Sequence, residues 1–219
     1  MAVSSANHHE IGVNEPAMIN IKIHLGHTSN QYRFKLKRGY AFVHESSVLH
    51  TCNVTTILIN LEIRLGGKFH EFLLKCVSTA NIDAVYYEGL YAATFDVEHA
   101  IKVLEPNVPT HTLSTLAIGV FNVCLGKDKE ASKVFLEFAA IHDDLTSDAI
   151  LELADELVWR LTLFLAPHLN SYALTFKFPD DEVIKSPKCL YGHDYTMNLE
   201  GSCKNCMLFW ICSNIAHML

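Results

Sequence analysis

The chain has 219 residues, 50% of them hydrophobic and 19% charged, with a formal net charge of −7. That length and apolar share support a globular protein of one or two domains and exclude a disordered chain. The acidic balance argues against nucleic acid as a partner, because non-specific affinity for it comes from clustered Lys and Arg.

The opening residues, Met1-Ala2-Val3-Ser4-Ser5-Ala6-Asn7-His8-His9-Glu10, lack a charged start followed by an apolar stretch. No secretory signal is therefore expected, and the protein is assigned to the cell interior, cytoplasm or nucleus. Over residues 18–25, Ile19, Ile21, Ile23 and Leu25 alternate with polar neighbours, as in a half-buried strand. After the turn cluster Gly26-His27-Thr28-Ser29-Asn30, Tyr32, Phe34 and Leu36 alternate with Arg33, Lys35 and Lys37, so residues 18–38 read as a β-hairpin. The basic run there is the solvated face of a strand rather than a binding site. The β-branched stretch over residues 54–64 ends at Gly66-Gly67, the pattern of a strand closed by a turn.

Helical signals follow. His70, Leu74 and Ser78 share one helical face, and residues 81–93 continue as a second short amphipathic helix. Ile101-Lys102-Val103-Leu104 then reads as a short strand running into the turn Glu105-Pro106-Asn107-Val108-Pro109. Leu113, Leu116, Ala117, Val120, Phe121 and Cys124 form one buried helical stripe that stops at Gly126. Ile150, Leu151, Ala154, Leu157, Val158 and Leu161 repeat this spacing, with Asp148, Glu152, Asp155 and Glu156 opposite and Pro167 beyond the end. Asp143-Asp144 is expected to cap that helix. Phe178-Pro179-Asp180-Asp181-Glu182 is the most linker-like stretch, which places a boundary within residues 167–187. No apolar run approaches the ~20 residues that span a bilayer, so no membrane partner is expected.

Seven cysteines, an odd number, favour free thiols or metal ligands over a disulfide framework in an intracellular chain. Cys189, His193, Cys203 and Cys206 form C-x3-H-x9-C-x2-C, two close donor pairs of the soft and borderline kind that tetrahedral zinc prefers. Gly192 and Gly201 would supply the turns, and Cys212 and His217 are substitute ligands. The competing reading makes these thiols small buried apolar groups beside the tail Met207-Leu208-Phe209-Trp210-Ile211, with His193 at the surface.

The order of elements from residue 53 to residue 165, together with His70-x3-Leu74-x3-Ser78, the Leu104-Glu105-Pro106 turn and the segment Phe135-Leu136-Glu137-Phe138-Ala139-Ala140 onward, resembles a divergent, fungal-type BTB/POZ domain. Ala140 stands where the family usually has Asp, and Asn81 or Ile82 where it has an aromatic. Phe42-Val43-His44-Glu45 offers a second start, but it leaves too long a stretch before Leu104, so His70 is preferred. The resemblance implies an α+β fold, a small sheet capped by helical hairpins. It divides the chain into residues 1–50 (a hairpin-bearing extension), 51–166 (the BTB/POZ-like domain) and 167–219 (a Cys/His segment with a candidate zinc site). It also implies a homodimerising adaptor or regulator that binds a further protein and catalyses nothing. The family's hydrophobic-x-Glu cullin contact falls on Leu90-Tyr91-Ala92. Ala92 offers no carboxylate, so weak or no cullin binding is expected.

The alternative is a small zinc-binding regulatory or viral, host-directed protein whose C-terminal segment carries the activity. Enzymatic readings lack their scaffolds. The zinc-deaminase pattern needs a Pro before the first Cys of its Cys-x2-Cys, whereas Cys203 follows Ser202, and there is no Gly-x-Ser-x-Gly elbow, phosphate loop or dinucleotide fingerprint. The thirteen histidines are scattered singly or in loose pairs, as surface or hydrogen-bonded core residues are.

Overall fold

The computed structural model describes residues 45–55, 68–187 and 204–219. These residues belong to one unit, Ala41–Leu219, while a separate unit, Met1–Tyr40, lies outside them together with the hairpin expected over residues 18–38. The elements in order are α1 (Ser46–Thr51), α2 (Lys68–Ser78), α3 (Ile82–Ala93), α4 (Val97–Leu104), a 3-10 turn (Glu105–Asn107), α5 (Thr112–Cys124), α6 (Asp128–Ile141), α7 (Ala149–Leu163), a second 3-10 turn (Ala173–Thr175) and α8 (Lys204–Met218).

The expectation of an α+β fold built on a small sheet is overturned: 69% of the described residues are helical and none lies in a strand. The decisive segment is Ile101-Lys102-Val103-Leu104, which forms the last turn of α4 rather than a strand. Val97, Ala100 and Leu104 are its buried residues, three and four apart, a face that strand geometry would divide between two sides. The Asp96 carboxylate starts the helix by accepting from the His99 N–H at 3.1 Å. Only Val54 and Thr55 of the strand expected over residues 54–64 are described, and both are helical.

Two helical hairpins follow one another, with helix starts at Ile82 and Val97 in the first and at Thr112 and Asp128 in the second. In the first, the Thr94 hydroxyl donates to the Tyr91 carbonyl at 2.8 Å and closes the end of α3. In the second, Gly126 adopts a φ of 67°, which lets Gly126 and Lys127 donate back to the carbonyls of Val123 and Asn122. The hairpins are joined by polar ties. The Asn107 amide donates to the Ile82 carbonyl at 2.9 Å and to the Ser114 hydroxyl at 3.1 Å.

α5 is the centre of the molecule. Ser114 to Cys124 are all buried, because α4, α6, α7 and α8 pack around the helix. It approaches α6 closely at Gly119, where a Cβ would stand 2.6 Å from the Phe135 ring. Phe121, Phe135, Phe138, Leu116, Leu157 and Leu161 are fully buried here, and each contributes about 1.5–3 kcal/mol on leaving water.

Asp143 and Asp144 do not cap α7, whose N-cap residue is Asp148. The Asp144 carboxylate instead accepts from the Thr146 N–H and hydroxyl at 2.7 and 2.8 Å and so shapes the preceding loop. Residues 167–187 carry little regular structure, yet Phe178 and Ile184 join the same core as α8, and the Phe178 ring meets Phe209 edge-on at 5.4 Å. Asp181 anchors this stretch to α6 by accepting from the Ser132 hydroxyl. Among the described residues, no helix is long and apolar enough to cross a membrane.

Candidate interaction surface

Tyr87, Tyr91 and Phe95 fall four apart along and just beyond α3, so their rings line one face. Phe164, at the end of α7, packs against that face at 6.3 Å from Tyr87 and 6.2 Å from Tyr91, and Tyr91 meets Phe95 edge-on at 5.1 Å. His70 on α2 completes the row, 5.2 Å from the Tyr91 ring, with its Nε2 3.1 Å from a Glu88 carboxylate oxygen. Each edge-to-face contact adds about 0.5–1.5 kcal/mol beyond the area it buries.

The inner end of the row is polar. Arg160, only 7% exposed, holds its guanidinium 5.2 Å from the Tyr87 centroid and 4.5 Å from that of Trp159, while its Nε donates to Glu156 at 2.6 Å. The buried charge is thus paired and stacked at once, which offsets its desolvation. Tyr87 donates its hydroxyl to Thr55 at 3.0 Å, and burial raises its phenol pKa, so it stays neutral.

Four large apolar side chains on or just beyond α3 and α7 are exposed. Phe95 is 66% exposed, Trp159 44%, and Leu163 and Leu165, which flank the buried Phe164, 42% and 75%. Leu165 has a φ of 60°, the left-handed conformation that closes a helix, and its own N–H donates to the Thr162 carbonyl while that of Ala166 donates to Leu161. Glycine normally occupies that position. A leucine there carries a conformational cost of about 1–3 kcal/mol and buries little of itself in return.

Cys189, His193 and Cys203 lie outside the described residues, and Cys206 is fully buried on α8. Of the substitute ligands, Cys212 faces the Cys124 side of α5 with its thiol pKa pushed up by burial, and His217 Nδ1 donates to the Ser213 carbonyl at 2.7 Å. No group of three or more His, Cys, Asp or Glu with metal-site geometry occurs among the described residues. Leu90 and Ala92, aligned with the cullin contact, are buried in α3.

One Ser–His pair has the spacing of a nucleophile and its base. The Ser114 hydroxyl donates to His111 Nδ1 at 2.7 Å, and the same nitrogen accepts from the Ser114 N–H. Ser114 is fully buried, however, and accepts from Asn107, and the pair serves as the cap of α5.

The row of aromatics was half visible in the sequence, since the spacing of Tyr87, Tyr91 and Phe95 is readable without coordinates. Phe164, Arg160 and Trp159 arrive from a helix distant in the chain, and only the packing brings them in. Compared with family models, with curated proteins and with solved structures, the chain matches none of them.

Proposed function

We propose that the chain is a protein-binding helical module that self-associates through the apolar surface of Phe95, Trp159, Leu163 and Leu165 and has no catalysis of its own. The observation that carries this reading is the pairing of exposure with rigidity at these residues. Phe95 and Trp159 stand on ring and cation–π contacts, so a partner would bury these large side chains without having to immobilise them. Trp, Tyr and Arg are also the side chains that dominate binding energy where interfaces are measured. The apolar character of the patch suits a second copy of the same chain, which would cover it with a like surface across a two-fold axis.

Sedimentation of the purified chain tests this. The expected species at about 10 μM is a dimer, as an interface of standard size holds at that concentration. Phe95→Asp combined with Leu165→Asp should return it to the 24.6 kDa monomer without loss of helical content. A wild-type protein that stays monomeric across the range would remove the reading.

A further inference from the structure

Cys52 follows α1 and Cys76 lies near the end of α2, and their sulfurs stand 3.5 Å apart without a bond between them. Cys52 is partly exposed, whereas Cys76 is completely buried behind it. Around them the Asn81 amide nitrogen stands 2.9, 3.0 and 2.9 Å from the carbonyl oxygens of Leu49, His50 and Cys52, which share its two N–H groups, and 3.8 Å from the Cys52 sulfur. The frame that holds the two thiols face to face is therefore fixed from a third element. We propose that Cys52 and Cys76 form a reversible oxidation site, with Cys52 as the thiol that meets a small-molecule disulfide and Cys76 as the thiol that resolves the adduct.

The Cys52 thiolate attacks one sulfur of the external disulfide, forms a mixed disulfide and releases one small thiol, which takes up a proton. Cys76, deprotonated in turn, attacks the Cys52 sulfur and releases the second small thiol, leaving a Cys52–Cys76 bond. The protein loses two electrons and two protons, and the external disulfide gains both. The electrostatics agree with this order of events. The hydrogen bond from Cys76 lowers the Cys52 pKa, while the same bond and burial raise that of Cys76, which makes Cys52 the nucleophile. Cys124 and Cys212 are buried, and burial pushes their thiols up, that of Cys124 to about 12.

The test is incubation of the native full-length chain with oxidised glutathione, followed by alkylation and peptide mapping by mass spectrometry. A peptide pair joined through Cys52 and Cys76 is expected, reversed by dithiothreitol and accompanied by a rise in thermal midpoint. Cys76→Ser should accumulate glutathione on Cys52, and Cys52→Ser should leave Cys76 unmodified until the protein is denatured. Absence of the joined pair in the wild type overturns the proposal whether or not the variants fold. Glutathione on Cys76 in folded Cys52→Ser would overturn the assigned order of attack.

Discussion

His111 shows how one side chain ties pH to stability. Its Nδ1 accepts from both the N–H and the hydroxyl of Ser114, so a proton on that nitrogen would remove the cap of α5. Burial lowers its pKa from 6.5, opposed by the Asp83 carboxylate and assisted by His142. The unfolded chain thus takes up the proton at a higher pH than the native one. Stability from this residue is complete above the ordinary imidazole range of about 6.5 and is lost as pH falls towards the lower native value. His111→Asn keeps an acceptor for the helix and removes the titration. Its thermal midpoint should fall less than that of the wild type between about pH 7.5 and about pH 5.5. Tyr86 makes a converse case. Its hydroxyl is buried without a hydrogen-bond partner among the described residues, and burial raises its pKa. Tyr86→Phe removes an unsatisfied group, so urea unfolding should show it unchanged or more stable by about 1 kcal/mol.

Between elements, Asn81 does two jobs with one side chain. Its oxygen caps α3 by accepting from the Ala84 N–H at 3.0 Å, and its nitrogen ties α3 to the three carbonyls at the end of α1. Asn81→Ala loses both and should cost about 2–4 kcal/mol. Asn81→Asp keeps the cap but turns a carboxylate towards those carbonyls; denaturant melts should therefore place it no better than Ala, whereas a residue that was only a cap would tolerate Asp. The helices were legible from their stripes: His70 to Ser78, Leu113 to Cys124 and Ile150 to Leu161 all lie in helices, as do residues 82–93 of the segment expected over 81–93, whose first residue, Asn81, is the cap. Ile101 to Leu104 reads as a strand because its β-branched Ile101 and Val103 alternate, and a run of four is too short to show a helical period. Its helical partners, Val97 and Ala100, lie just upstream and had been left out of the pattern. Long-range ties such as Asn81 to α1 leave no mark in local sequence, since an Asn before a helix reads as a cap and nothing more.

At the scale of the molecule, stability and association pull on Leu165 in opposite directions. Leu165→Gly relieves the left-handed leucine and should raise stability by about 1 kcal/mol while weakening self-association. Thermal melts and sedimentation on the same sample would show the two effects diverge; a variant that gains stability and dimerises as before would assign Leu165 to the turn alone. The expected zinc ligands were less informative as a site, because Cys206 is the one of the four whose surroundings are described and it lies in the core.

The enclosure of α5 governs the order in which the molecule can assemble. Its contacts with α6 join neighbours in the chain, and these local pairings can close quickly. Those with α8 join Cys124 to the region of Cys212, remote in sequence, and high contact order makes such closure slow. Until α8 docks, one side of α5 is an open apolar strip. Native-state hydrogen exchange should reflect this hierarchy, with α8 amides exchanging through a lower-energy opening than those of α5 and α6. Equal protection of all three would mean that the last helix folds as one cooperative unit with the hairpins it covers.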